Sequence, residues 1–166
     1  MITRAFIPAH LTINPARLQP RCHVRAQEEM IEAQQDAVLA QVYAELADGR
    51  KRTHWMWFVF PQLAGLGHSR TAQLYAITDL NQARDYLADP VLGDRLRQHV
   101  RLMLAHKDKT ALQILGTPDD LKLRSCLTLF SAAADAPVDK QLFDEGLRQF
   151  YGGNPDPHTL RILADS

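Results

Sequence analysis

Apolar residues recur at helical spacing along most of this chain, and capping residues, prolines and glycines divide them into short segments. The longest stripe runs from Arg25 to Asp48, where apolar residues repeat about every 3.6 positions, and Gly49 follows it as a stop. Thr117-Pro118-Asp119-Asp120 marks a later helix start, with a cap, a proline and two acids. The pattern predicts an all-α fold, a compact and irregular bundle of about seven short helices with no sheet of three or more strands.

Length and composition fit one domain with an ordinary core. The chain has 166 residues, of which 46% are hydrophobic and 23% are charged. We expect residues 25–166 to form this single domain and residues 1–24, which contain three prolines, to be a poorly ordered leader. No apolar run has the length of a membrane span. The two cysteines lie far apart in the sequence, which is typical of a reducing compartment, so a cytoplasmic location is expected.

The formal net charge is zero, but the charges are unevenly distributed. Residues 1–27 carry four arginines and no acid, a composition that organellar transit peptides share with disordered leaders. Residues 28–166 hold all 19 acids against 15 lysines and arginines, which disfavours nucleic acid as a partner. The seven histidines and two cysteines lack metal-ligand spacing, so we expect neither a metal nor a cofactor. A monomer is the favoured oligomeric state.

The densest feature is an aromatic block at residues 54–62, which read HWMWFVFPQ. Both tryptophans and two of the six phenylalanines lie within residues 55–60. Periodicity does not distinguish a buried strand from a short buried helix here. Trp55 and Trp57 are either core residues or the wall of a pocket that stacks a planar ring, with His54 as an acid–base group.

Polar residues on both sides of this block are candidates for holding an anion. Lys51, within the cationic run 50–52, is either a helix-end cation on a solvated face or part of an anion clamp. The glycine-containing segment after the block is either a plain tight turn or a place where free backbone N–H groups meet an anionic ligand. Its candidate residues are Gln62, Gly65, Gly67 and Ser69.

A second set of candidates lies on the helix predicted after Thr117. Asp119, Lys122 and Ser125 are three residues apart and share a helix face, which aligns an acid, a cation and a hydroxyl. Asp119 is otherwise an ordinary helix-start acid. Glu32 falls within the apolar stripe of the first helix, where burial would perturb its pKa. The acid–base candidates are therefore Glu32, His54 and Asp119.

Several of these segments together resemble the bacterial domain-of-unknown-function family 1810. The resemblance is carried by the aromatic block with residues 65–69, by YLADPVLGDRL at 86–96 and by DDLKLRSCLTLF at 119–130, and it covers about residues 28–163. Glu32-Ala33-Gln34 is similar to the opening motif of that family. The resemblance implies a small, mainly helical domain of the bacterial cytoplasm and no established reaction. Some members carry the label calpastatin, which a core-forming, aromatic composition argues against.

Two classes of function fit these residues. The first is the binding or hydrolysis of a small, planar, anionic ligand such as a nucleotide or an ADP-ribose derivative, and the pattern is loosely similar to small helical domains that act on ADP-ribose derivatives. It predicts a cleft beside a partly accessible tryptophan, lined by His54, Gln62 and one of Glu32, Asp119 or Lys122. The alternative is a non-catalytic protein-interaction or regulatory module, which predicts a flat apolar patch. Whether the chain is an enzyme stays open.

Overall fold

The computed structural model describes residues 20–166, and the side chains of residues 23–166. This part of the chain contains nine helices and no strand beyond one isolated bridge, which confirms the all-α prediction. The helices are α1 (Pro20–Asp48), α2 (Met56–Val59), α3 (Arg70–Tyr75), α4 (Leu80–Ala88), α5 (Leu92–Leu104), α6 (Ala111–Leu115), α7 (Asp119–Ala133), α8 (Pro137–Tyr151) and α9 (Pro157–Ala164).

The predicted leader and the first helix meet at different residues from those expected. Residues 1–19 of that leader lie outside the described residues, and residues 20–24 belong to α1. The number of helices exceeds the predicted seven partly because the aromatic block contributes α2, a helix of four residues. The structure thus resolves the choice between strand and helix for this block in favour of a helix.

Capping side chains set several helix starts. Ser69 accepts a hydrogen bond from the backbone N–H of Ala72 at 3.1 Å and begins α3. Thr110 and Gln113 form a capping box that begins α6. These caps satisfy backbone donors that a helix start otherwise leaves unpaired.

The centre of the hydrophobic core is α7, which packs on α4, α6, α8 and α9. Phe130 of α7 is fully buried, and its ring centre lies 5.5 Å from that of Tyr86 and 5.8 Å from that of Phe143. Tilted ring packing of this kind stabilises an aromatic core. Because α7 runs through this core, its first residues, Asp119 and Lys122, are held in fixed positions at one end.

The segment between α1 and α2 lies near that same end of α7. Gly49 ends α1 with a φ of +67°, a left-handed conformation that favours glycine. The backbone N–H of Lys51 then donates to the carbonyl of Ile114, at the end of α6, at 2.7 Å. Since α6 packs on α7, this bond brings Lys51 towards the start of α7.

Candidate functional site

The aromatic block divides between the hydrophobic core and the surface. Trp55 is 1% exposed and packs against Phe60, with ring centres 6.3 Å apart. Trp57 instead retains an accessible part of its side chain. Trp55 therefore belongs to the core, and Trp57 is the tryptophan that a ligand in solution can reach.

A buried carboxylate fixes the segment between α1 and α2. Glu45 is 3% exposed and accepts hydrogen bonds from the Trp55 indole at 2.8 Å and from the Thr53 hydroxyl at 2.7 Å. It also accepts from the backbone N–H groups of Arg52 and Thr53 at 2.8 and 3.2 Å. Burial alone favours the neutral acid, but these donors outweigh it and lower the pKa of Glu45 to about 2. Glu45 thus stays ionised and holds the backbone that presents Lys51.

Two lysines converge on one carboxylate beside both tryptophans. Lys51 Nζ lies 2.9 Å from one oxygen of Asp119, and Lys122 Nζ lies 3.1 Å from the other. Lys51 Nζ is 5.2 Å from the centre of the Trp55 ring, and Lys122 Nζ is 5.1 Å from that of Trp57, both within cation–π range. We call these five residues the lysine–tryptophan cluster.

The cluster carries an excess of positive charge in a shielded place. Two ammonium groups face one carboxylate, which leaves a formal charge of +1. The side chains of Lys51, Asp119 and Lys122 are only 9%, 16% and 22% exposed. Charges interact more strongly where the local dielectric is low, so the ion pairs among these three side chains are stronger than pairs between fully solvated side chains. Arg50 is exposed in the adjoining segment and extends the cationic surface.

Ser125, the third residue predicted on the α7 face, belongs to a different contact. It is buried, and its hydroxyl donates to the Leu121 carbonyl at 3.3 Å and to the Asp156 carboxylate at 3.2 Å. Asp156 in turn caps α9 by accepting from the N–H of Thr159 at 2.9 Å. Ser125 therefore joins α7 to α9 and is not brought into the lysine–tryptophan cluster.

The glycine turn after α2 is held by local contacts. The carbonyl of Gln62 accepts from the N–H of Ile77 at 2.9 Å, and Ser69 caps α3. A Cβ on Gly67 would lie 2.4 Å from the Cβ of Ala72, so this close approach to α3 requires glycine. Four predicted residues are thus placed in this turn: Gln62, Gly65, Gly67 and Ser69.

Glu32 lies on another surface. It is 16 residues before Asp48, which places it about 24 Å along the α1 axis from the end that leads to Lys51. It lines an open groove of about 1200 Å³ between α1 and α4. The carboxylates of this groove belong to Glu28, Glu29, Glu32, Asp79, Asp85 and Asp89. The acid–base candidates Glu32, His54 and Asp119 are consequently not assembled in one place.

Sequence reasoning missed two notable carboxylates on α1. Glu45 sits beside Val42 and Leu46 in the apolar stripe, and this is the same signal that selected Glu32. Glu28 faces the groove, where burial, followed by the charges of Asp89 and Asp85, raises its pKa. Nothing in the spacing of Glu28 indicated that α4 would place further acids opposite it.

Two further properties of the described residues bear on function. Within residues 23–166, no three histidine, cysteine, aspartate or glutamate side chains are arranged to hold a metal ion. None of the helices of this part of the chain combines the length and apolarity needed to cross a membrane.

Comparison with known proteins finds relatives without an assigned activity. The family described as "Protein of unknown function (DUF1810)" matches residues 25–163. A crystal structure of the conserved hypothetical protein Rv1873 from Mycobacterium tuberculosis is similar, with a TM-score of 0.79 and 44% sequence identity. That similarity covers 82% of this chain and 95% of the mycobacterial chain. No curated protein matches the sequence.

Proposed function

This chain belongs to the DUF1810 family, which has no stated function, and we propose that its lysine–tryptophan cluster binds a small ligand with an anionic group and a planar ring. The observation that carries this proposal is the convergence of Lys51 and Lys122 on Asp119, with each ammonium beside a tryptophan ring. Nucleotides and ADP-ribose derivatives combine both chemical features and are the ligand class proposed.

Each part of the cluster has a role in this proposal. The two ammonium groups attract the anion, and they are held close together because Asp119 binds both. The accessible surface of Trp57 offers an aromatic face to the ring of the ligand. Glu45 positions Trp55 and the chain that carries Lys51, although it does not reach the ligand.

Binding is better supported than hydrolysis. A general base must lie within hydrogen-bond reach of the group that it deprotonates. Glu32 lies about 24 Å along the α1 axis from the end of the helix that leads to Lys51. Both oxygens of Asp119 are in contact with ammonium groups. The exposed His54 adjoins Trp55 in the sequence, and it is the remaining acid–base candidate near the cluster.

Tryptophan fluorescence tests this proposal directly, because both tryptophans of the chain belong to the cluster. We expect ADP-ribose to change the emission with a saturable dependence on concentration, and adenosine, which lacks the anion, to change it much less. Lys122→Met should raise the dissociation constant for ADP-ribose at least about tenfold, which corresponds to about 1.4 kcal/mol.

A matched lysine far from the cluster serves as the control. Lys140 contacts Ser131, which follows Asp119 by 12 residues on α7 and so lies about 18 Å further along the helix axis. Lys140→Met removes the same charge and should leave the affinity unchanged. The proposal is wrong if ADP-ribose and AMP leave the emission unaltered, or if both substitutions weaken binding equally.

A further inference from the structure

Asp119 supplies an anion to the lysine–tryptophan cluster from within the chain. Its carboxylate presents one oxygen to Lys51 Nζ at 2.9 Å and the other to Lys122 Nζ at 3.1 Å. A phosphate group also presents charged oxygens from one central atom, which is why the same cationic side chains bind carboxylates and phosphates. The Asp119 carboxylate therefore occupies the position between the two ammonium groups that the anionic group of a ligand would take.

The two lysines have no other negative partner in the part of the chain that the structure describes. Asp119 forms the only ion pair that Lys51 or Lys122 makes among residues 23–166. The side chains of these lysines are only 9% and 22% exposed, so little water is available to replace the carboxylate. Without the charge of Asp119, two shielded ammonium groups would lie close together uncompensated, which is destabilising.

Contacts other than those with Asp119 also set the positions of both lysines. The backbone N–H of Lys51 donates to the Ile114 carbonyl at 2.7 Å, and Glu45 accepts from the two N–H groups that follow. Lys122 belongs to α7, which is fixed by its packing on four other helices. Exchange of the Asp119 carboxylate for another anion would therefore leave both lysines at the cluster.

We infer that Asp119 is an internal competitor of the ligand, whose anionic group displaces the carboxylate from Lys51 and Lys122 and takes over both contacts. The inference rests on the proposed function, since it concerns the anion position of the same cluster. It makes Asp119 the residue that sets how much charge a ligand needs. A singly charged anion only replaces the charge that it displaces, whereas a pyrophosphate group brings more than one negative charge and is favoured.

Removal of the Asp119 charge should strengthen anion binding for two reasons. The carboxylate no longer repels the incoming anion. The chain without bound anion is also destabilised, because its two ammonium groups lose their counter-charge, and an anion restores it. If Asp119 served only to hold the lysines together, its removal would weaken binding instead. The direction of the change therefore distinguishes a competitor from a structural residue.

Inorganic pyrophosphate tests the inference, because it offers the anion without a planar ring. Asp119→Asn keeps the shape of the side chain and removes its charge. The dissociation constant for pyrophosphate, measured by isothermal titration calorimetry at constant ionic strength, should be at least about tenfold lower for Asp119→Asn than for the natural chain. Adding Lys51→Met and Lys122→Met to Asp119→Asn should abolish this gain.

Asp144 of α8 provides the matched control, because it pairs with Lys140, far from the cluster, at 3.2 Å. Asp144→Asn changes the net charge equally and should leave the affinity for pyrophosphate unchanged. Asp119→Ser, which also suits the first turn of a helix, takes the place of Asp119→Asn if circular dichroism shows that the asparagine variant does not fold.

The inference is overturned if the Asp119 variant binds pyrophosphate no more tightly than the natural chain, if neither binds it, or if Asp144→Asn gains equally. These outcomes are separate from the test of the proposed function. A natural chain that does not respond to ADP-ribose contradicts the proposed ligand class, whereas a pyrophosphate affinity that is insensitive to Asp119 contradicts the internal competitor.

Discussion

At the scale of single residues, the geometry of the cluster depends on Glu45. This carboxylate accepts hydrogen bonds from the Trp55 indole, the Thr53 hydroxyl and two backbone N–H groups. Glu45→Ala would leave these donors without an acceptor in a buried site. We expect the free energy of unfolding, measured by urea denaturation, to fall by about 3 kcal/mol.

An exposed glutamate of the same helix provides the comparison for Glu45. The side chain of Glu29 is 69% exposed and forms an ion pair with Arg25, which is 83% exposed. Glu29→Ala should change the free energy of unfolding by no more than about 0.5 kcal/mol. Similar losses for the two variants would contradict the structural role assigned to Glu45.

Residue-scale prediction from the sequence succeeded where the relevant partners are neighbours on one helix. The pairing of Asp119 with Lys122 follows from their three-residue spacing, and the structure contains that contact. The pairing of Asp119 with Lys51 joins residues 68 positions apart. It depends on the hydrogen bond from the Lys51 N–H to the Ile114 carbonyl at the end of α6. Nor could the sequence separate the buried Trp55 from the accessible Trp57, because one helical turn is too short to show a period.

At the scale of the elements, glycines set how closely two pairs of helices approach. Gly93 of α5 lies against the end of α4, where an added Cβ would be 2.3 Å from the Leu87 carbonyl oxygen. Gly146 of α8 lies against α7, where an added Cβ would meet methyl groups of Leu127 at 3.0 and 3.1 Å. The first obstacle is backbone and cannot move without shifting a helix, whereas the second is the end of a flexible side chain.

The two glycine-to-alanine substitutions should therefore differ in their effect on stability. Gly93→Ala should lower the free energy of unfolding by about 2 kcal/mol or more, because overpacking outweighs the gain in helix propensity of about 1 kcal/mol. Gly146→Ala should change it by less than about 1 kcal/mol, since the two effects are similar in size. Thermal unfolding followed by circular dichroism measures both, and a more harmful Gly146→Ala would contradict the packing described.

Element boundaries were predicted well where a local signal ends a helix and poorly where tertiary packing decides. Gly49 was predicted to stop the first helix, and α1 ends at Asp48, directly before it. The helix of the aromatic block has neither a capping side chain nor an amphipathic stripe, and packing on α1 and α3 stabilises it instead. Such a segment gives no local signal for its structure.

At the scale of the whole molecule, the buried His99 of α5 makes stability sensitive to acid. Burial, followed by the charge of Arg95, lowers its pKa to about 4 in the folded protein against 6.5 for a free imidazole, so the unfolded chain binds more protons. The stability is fully present above pH 6.5 and is lost as the pH falls towards 4. We expect the free energy of unfolding to fall by about 2 kcal/mol between neutral pH and about pH 5 from this residue alone.

His99→Phe isolates that contribution, because carboxylates such as Asp139, whose pKa is lowered by its hydrogen bond with Arg97, titrate in both proteins. Urea denaturation at neutral pH and at about pH 5 should show a smaller acid loss in the variant than in the natural chain. Equal losses would mean that His99 becomes protonated without cost in the folded state, contrary to its burial without a hydrogen-bond partner among the described residues.

Nuclear magnetic resonance of the indole N–H groups reports directly on whether the lysine–tryptophan cluster binds an anion. The chain contains two tryptophans and should give two such signals, one of them from the Trp55 indole that donates to Glu45. Addition of ADP-ribose should shift both signals to saturation in the natural chain, and should shift neither in the Lys51→Met/Lys122→Met double variant. Unmoved indole signals in the natural chain at high ADP-ribose concentration, or equal shifts in the double variant, would show that the two lysines of the cluster do not bind this anion.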